Sequence, residues 1–207
     1  MSILNEINQN MQRGKAPIVK ELIANALEQG IPAKKILEEG LLTAMNVVGE
    51  KFKNNEVFVP EVLVAARAMN AGVEILKPYL IKAGVEDKGI VVIGTIKGDL
   101  HDIGKNLVKM MMEGKGLKVI DLGVSVTPEA FVAGAKEHNA NVIACSALLT
   151  TTMGEMKNVV EKVKAENLNT KVIIGGAPIT QSFCDSIGAD GYSPDAATAA
   201  ELALSLC

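Results

Sequence analysis

The sequence predicts an α/β protein in two parts: a four-helix bundle over residues 1–86, then a doubly wound parallel sheet over residues 87–207. Three observations carry this. Apolar residues recur with a helical period through roughly the first 85 positions. After Lys88, short β-branched runs alternate with amphipathic stretches, the pattern of βαβ units. Between the two lies Gly84-Val85-Glu86-Asp87-Lys88-Gly89, a glycine-flanked stretch that reads as a linker.

The helical part divides into stripes. Ile18, Val19, Leu22, Ile23, Ala26 and Leu27 form the first, closed by Gly30. Ile31-Pro32 restarts a helix, proline being suited to a first turn, and Gly40 punctuates it. Leu41, Met45, Val48 and Phe52 form the third stripe, stopped by Asn54-Asn55. Val59, Val62, Leu63, Ala66, Met69, Val73 and Leu76 form the longest, with Pro60 near its start and Pro78 near its end. Four helices joined by short turns read as an antiparallel bundle. In the second part, residues 90–96, 118–122, 141–145 and 171–174 read as strands. Their apolar runs lack polar alternation, as expected of a parallel sheet covered on both faces. Helical patterns follow at 103–115, 128–138, 152–166 and 179–187; a short strand near 190–192 and a helix over 196–206 close the chain.

Composition narrows the function classes. Apolar residues are 48% and aromatic residues only 3%, so the core is aliphatic. Residues 1–88 carry 11 basic and 11 acidic side chains, and residues 89–207 carry 10 and 13, for a net charge of −3. Neither half is basic, and Arg13 and Arg67 are the only arginines, which argues against a nucleic-acid surface. Three cysteines without paired spacing argue against a disulfide framework and a cysteine-built zinc site. The first fifteen residues hold acids and amides without a long apolar run. The expectation is a cytoplasmic protein with no membrane partner.

In such a sheet, ligands bind at the loops that follow the strands. The first of these is Lys97-Gly98-Asp99-Leu100-His101-Asp102-Ile103-Gly104-Lys105. Asp99, two residues before His101, is placed to accept the Nδ1 proton and turn Nε2 outward, the arrangement found behind a metal-bound imidazole. Gly98 and Gly104 let the backbone come close to a bulky ligand. The loop after the third strand, Ser146 to Thr152, is rich in hydroxyls, and the fourth begins with Gly175-Gly176. No loop carries a Walker-type Gly-Lys-Ser/Thr or a G-x-G-x-x-G, which weakens nucleotide readings.

Asp99-x-His101-x-x-Gly104, Ser146-x-Leu148 and Gly175-Gly176 together resemble the cobalamin-binding signature of base-off/His-on corrinoid proteins. The spacing fits too: 42 residues from Gly104 to Ser146 and 27 from Leu148 to Gly175. Met45-Asn46-Val47-Val48-Gly49-Glu50-x-Phe52, Phe58-Val59-Pro60-Glu61 and Ala65-Ala66-Arg67-Ala68-Met69 resemble the helical cap of methyl-transferring corrinoid proteins, which include the cobalamin-binding part of methionine synthase. The resemblance covers nearly the whole chain. By size it points to the stand-alone corrinoid proteins that serve methylamine, methanol, betaine or methoxy-aromatic methyltransferases.

The resemblance implies a flavodoxin-like/Rossmann-like domain that holds cobalamin, as methylcobalamin or cob(I)alamin. His101 Nε2 is then the lower axial ligand of cobalt, replacing dimethylbenzimidazole, and Asp99 and Ser146 continue a hydrogen-bonded relay behind it. Gly98, Leu100, Asp102, Ile103 and Gly104 complete the cofactor loop. The displaced nucleotide tail runs into a slot lined by Ser146, Leu148, Thr150, Gly175 and Gly176, with Tyr192, Asp195 and Ala196 near its far end. In the cap, Phe52 and Val59 match positions over the upper face of the corrin, and Glu38 matches one near it. Phe52 and Val59 also fit plain bundle core, and Glu38 a solvated charge.

The implied function is a methyl carrier, a subunit of an enzyme system rather than a complete enzyme. Its implied partners are a substrate-specific methyltransferase, a second methyltransferase acting on tetrahydrofolate or a thiol, and a reductive activator. Residues 84–89 are the expected hinge for moving the cap aside. An adenosylcobalamin isomerase subunit shares the signature but generally lacks the cap. A cobalamin sensor needs an output module, and no basic segment supplies one. A receiver-like domain needs an acidic cluster with a lysine at the strand ends, and no lysine follows the fourth or fifth strand.

Overall fold

In the computed structural model, which describes residues 2–207, Ser2 opens the first helix by accepting the Asn5 amide on its Oγ at 3.4 Å. This helix, α1 (Ile3–Gln12), buries Ile7 and Met11. It lies outside the four predicted stripes. Its apolar spacing was present in the sequence, but four asparagine and glutamine residues between Asn5 and Asn10 mask it. Helix α2 (Ala16–Glu28) has Pro17 in its first turn and buries Val19, Ile23 and Ala26.

The predicted break at Gly40 does not occur. Helix α3 (Ala33–Lys35) passes through a π-helical segment (Ile36–Leu42) into α4 (Thr43–Lys53), with right-handed backbone at both junctions. Gly40 is buried in this rod, and a Cβ there would lie 3.1 Å from Ile7 Cγ2. The glycine lets α1 cross closely; it does not end a helix. Helix α5 (Val59–Lys82) begins where Glu61 Oε2 accepts the Phe58 amide at 3.0 Å, and continues through Pro78. The bundle therefore has four rods, α1, α2, α3–α4 and α5, with α1 packed on α2, α4 and the π segment and α5 on α2 and α4.

The second unit spans Asp87–Cys207, the first Met1–Glu86. Its strands are β1 (Ile90–Thr95), β2 (Lys118–Asp121), β3 (Val142–Ser146), β4 (Lys171–Gly175) and β5 (Gly191–Ser193). All pair in parallel, in the order β2-β1-β3-β4-β5. The helices between and after them are α6 (Ile103–Gly114), α7 (Pro128–His138), α8 (Glu155–Ala165), α9 (Gln181–Ile187) and α10 (Ala196–Ser205). Successive strand residues face opposite sides. Val92, Ile143, Cys145, Val172 and Ile174 join Phe131 of α7, Val159 of α8 and Cys184 of α9 in one core. Helices α6 and α10 pack on each other over the other face. The chain leaves β1 toward β2 on one side and returns to β3 on the other, so the strand order reverses between β1 and β3. Ligand crevices of open parallel sheets lie at this switch. No helix of the described residues is long and apolar enough to cross a membrane.

Candidate functional site

The switch places the β1–α6 and β3–α8 loops side by side, and Asp99 joins them. Its side chain is fully shielded from solvent. Oδ1 accepts the His101 amide at 3.0 Å and the His101 ring Nδ1 at 2.7 Å. Oδ2 accepts the amides of Leu148 at 2.7 Å and Leu149 at 3.1 Å, with Thr152 Oγ1 at 3.4 Å. Burial opposes ionisation of Asp99. The bonds from His101, Leu148 and Leu149 together outweigh it and hold the carboxyl well below the usual carboxylate range. An ionised Asp99 keeps a proton on His101 Nδ1, which leaves the Nε2 lone pair free. The His101 side chain is 52% exposed, and among the described residues its Nε2 has no hydrogen-bond partner.

Other groups hold this loop in place. Thr95 Oγ1, at the end of β1, donates to the His101 carbonyl at 2.8 Å. Gly98 has φ +82° and donates its amide to Ser125 Oγ at 3.1 Å, while the Ser125 amide donates to the Asp99 carbonyl at 3.0 Å. In the first turns of α6, buried Lys105 pairs with both oxygens of Asp121 at 2.7 Å, fastening α6 to the end of β2. Asp102 accepts Asn106 Nδ2 at 3.2 Å and stays exposed. A Cβ at Gly104 would meet no atom within 4 Å, so the start of α6 is open above the backbone. Leu100 and Ile103, 72% and 76% exposed, flank His101, and Val124, Leu148 and Leu149 are exposed on the neighbouring loops. Five exposed apolar side chains at one end of a sheet mark a binding surface.

The structure corrects one expectation and places the residues next to it. Ser146 takes no part in the bonds behind His101, because its side chain points to the α6 and α10 face of the sheet. Thr152, on the first turn after the β3 loop, is the hydroxyl that reaches Asp99. Tyr192 packs against the α7–α9 core and does not face the slot; its successor Ser193 lines the slot with Ser146 and Gly175. The two oxygens of Asp195 accept Thr198 N at 2.9 Å and Thr198 Oγ1 at 2.7 Å, so its carboxylate caps α10, which starts at buried Ala196. Cys145 faces the core away from the slot, where burial pushes its thiol pKa up.

The glycine pair has two separate causes. A Cβ on Gly176, at φ +131°, would sit 1.8 Å from the Ala147 carbonyl oxygen, so the chain's own backbone requires glycine there. A Cβ on Gly175 would meet nothing closer than 3.5 Å; the missing side chain leaves room in the slot instead. Leu148 and Thr150 lie exposed on the β3–α8 loop. In the first unit, Phe52 ends α4 and Val59 begins α5, both half-buried on either side of one turn, while Glu38 is exposed in the π segment. Thr95, Ser125, Thr152 and Ser193 were not singled out from sequence. Each acts through a fold-dependent contact that no local string encodes.

This constellation fits a metal carried inside a large apolar ligand. Among the described residues no group of three or more His, Cys, Asp or Glu side chains is placed to hold a bare ion. A single oriented imidazole in an apolar rim suits a metal whose other ligands come with it. The open start of α6 gives such a ligand room, and among the described residues the buried Ser193 Oγ has no partner.

Comparison with known proteins agrees. Residues 89–201 match a family model described as a B12 binding domain, and residues 3–77 match a second model of the same description. The chain is 43% identical over 208 residues to a corrinoid protein of Desulfitobacterium hafniense, covering 98% of this chain and 96% of that one. It is 44% identical over 183 residues to trimethylamine corrinoid protein 1 of Methanosarcina acetivorans, covering 86% and 85%. Among solved structures, the methanol:cobalamin methyltransferase complex MtaBC of Methanosarcina barkeri contains a chain with TM-score 0.89 and 29% identity, covering 99% of this chain and 79% of that one. A cobalamin-binding protein of Desulfitobacterium hafniense gives TM-score 0.81 at 31% identity, covering 99% and 98%. By fold, site and kinship, this chain belongs to the B12-binding family of corrinoid proteins.

Proposed function

We propose that this chain is the methyl-carrying subunit of a cytoplasmic corrinoid-dependent methyltransferase system. In this reading it holds cobalamin base-off, with His101 Nε2 below the cobalt. It takes a methyl group from a substrate-specific methyltransferase and yields it to a second methyltransferase acting on tetrahydrofolate or a thiol, with a reductive activator as a further partner. The observation that carries the reading is the pairing of His101 with Asp99: one ring nitrogen is pinned by a shielded carboxylate and the other faces outward, unpartnered, among exposed apolar side chains. The names of the trimethylamine and methanol relatives support the methyl-carrier role.

When bound, the corrinoid supplies a cobalt centre that accepts and releases a methyl group. The chain's residues do the rest. Asp99 keeps the Nδ1 proton in place, which fixes the ring's tautomer and leaves Nε2 free to bind. Thr95, Ser125 and the Leu148 and Leu149 amides hold the loop so that His101 needs no rearrangement to act as a ligand. Leu100, Ile103 and Leu148 offer apolar surface, and Gly98 and Gly104 keep the backbone low. Ser146, Gly175 and Ser193 line the slot assigned to the nucleotide tail, with Thr150 near its mouth. Roles for Phe52, Val59 and Glu38 in shielding the methyl group, and for residues 84–89 as a hinge, rest on the resemblance of the first unit to methyl-carrier caps.

The test is an absorbance titration with hydroxocobalamin of the wild type beside His101→Ala. The wild type takes on a histidine-ligated spectrum. The variant keeps its fold, loses that spectrum and slows methyl transfer by about tenfold or more. Wild-type spectra and transfer rates in the variant would contradict the axial role.

A further inference from the structure

The end of β2 and the β2–α7 loop grip the His101 loop on both sides of the histidine. Before it, Ser125 Oγ accepts the Gly98 amide at 3.1 Å, and the Ser125 amide donates to the Asp99 carbonyl at 3.0 Å. Ser125 does this in the left-handed region, at φ +52°, which is costly for a residue other than glycine. After it, Asp121 holds Lys105, four residues beyond His101. The Lys105 side chain is 2% exposed. Its ammonium has three protons and three acceptors, the two Asp121 oxygens at 2.7 Å and Asn106 Oδ1 at 2.8 Å. Asp121 Oδ1 also accepts the Gly123 amide at 2.9 Å, and the Gly123 carbonyl accepts the Thr95 amide at 3.0 Å. The two grips therefore share one loop.

Helix α6 starts differently from most of its neighbours. Thr127, Thr180 and Asp195 cap the first turns of α7, α9 and α10 with their side chains. At the start of α6, Asp102 caps no backbone amide, so the first turn lacks the usual anchor. Lys105, the third residue of the helix, supplies an anchor from the side. Stability is a poor account of this pair. Taking an ammonium out of water is costly, and apolar side chains of similar volume often serve stability as well or better. An ammonium with every proton assigned does what an apolar contact cannot: it admits one position.

We propose that Lys105 and Asp121 are positioning residues for His101. Their ion pair, with Ser125 on the other side, sets the direction in which the His101 ring leaves its loop. Asp99 fixes the proton on the ring, and this brace fixes the backbone that carries the ring. The inference rests on the axial role given to His101 above, and its consequence for the unloaded chain can be read without cobalamin.

The experiment uses the full chain with Lys105→Met and Asp121→Asn together. The two changes remove both charges at once and leave an acceptor for the Gly123 amide. The thermal midpoint stays within about 3 °C of wild type. In unloaded chains labelled with 15N-histidine, the wild type gives one set of His101 ring signals and the variant broadens or splits it. The signals of His138, at the end of α7, stay in place. With hydroxocobalamin reduced to cobalt(II), the equilibrium constant for histidine ligation falls about tenfold. Ser125→Gly relieves the backbone, removes the hydroxyl and disturbs the same His101 signals; it decides the matter where the double variant does not fold. Wild-type His101 signals and ligation in a folded variant overturn the proposal. So does an equal disturbance of His138, which would make the effect general. A wild type that never shows histidine ligation overturns the axial reading, whatever the ring signals of the variants.

Discussion

Asp99 and Ser193 sit at the same end of one sheet, and both are shielded from solvent. Asp99 accepts from five donors on two loops; Ser193 meets none. The difference separates two kinds of preparation. Behind His101 the chain completes the bonds to Asp99 itself, so the imidazole is oriented before a ligand arrives. Beside Gly175, among the described residues, the Ser193 hydroxyl is left buried and without a partner. Orientation of a metal ligand has to come from the protein.

Substitutions can break the prepared half, in order of size. Gly176→Ala is the most damaging. The added Cβ collides with the Ala147 carbonyl and drives the β3–α8 loop, with its Leu148 and Leu149 amides, away from Asp99. A loss of about 4 kcal/mol is expected in urea unfolding. Asp99→Ala strips the acceptor from three part-buried amides and the His101 ring, for about 3 kcal/mol. The variant should also lose the histidine-ligated spectrum, since nothing else fixes the ring.

Asp99 also sets a pH dependence. Its folded pKa is depressed, so its contribution is fully present above the unfolded value, near 3.9, and is lost as pH falls toward the lower folded value. The stability gap between wild type and Asp99→Asn should therefore be flat from pH 7 to about pH 5 and narrow only below about pH 4. A gap that narrows near neutrality would contradict the account. Thr152→Val has the smallest effect. The hydroxyl's one proton is divided between Leu149 O at 3.1 Å and Asp99 Oδ2 at 3.4 Å, so the loss should stay under about 1 kcal/mol.

The same contrast shows what was legible in the sequence. Strands β1 to β4 could be read from β-branched runs, the pattern of a parallel sheet covered on both faces, whereas β5 (Gly191–Ser193) carries no such run. The His101–Asp99 pair could be read because a two-residue spacing on one loop is a local relation. Thr152 could not, since it reaches Asp99 only after the β3–α8 loop folds back across 53 residues of sequence separation. The Ser146-x-Leu148 string drew attention to a serine whose strand parity points it elsewhere. Ser193 was hidden behind Tyr192 for the same reason: which of two neighbours faces the slot depends on register with Gly175. Gly40 misled because a glycine that admits a crossing helix looks, in sequence, like one that ends a helix.

The central claim is that the histidine, and not the cofactor's own base, lies beneath cobalt. Protein labelled with 15N-histidine and loaded with unlabelled cobalamin tests it most directly, by electron paramagnetic resonance of the cobalt(II) form. The account predicts that each high-field cobalt line splits into the doublet of a 15N nucleus. A triplet from unlabelled nitrogen, or no nitrogen splitting, would contradict it.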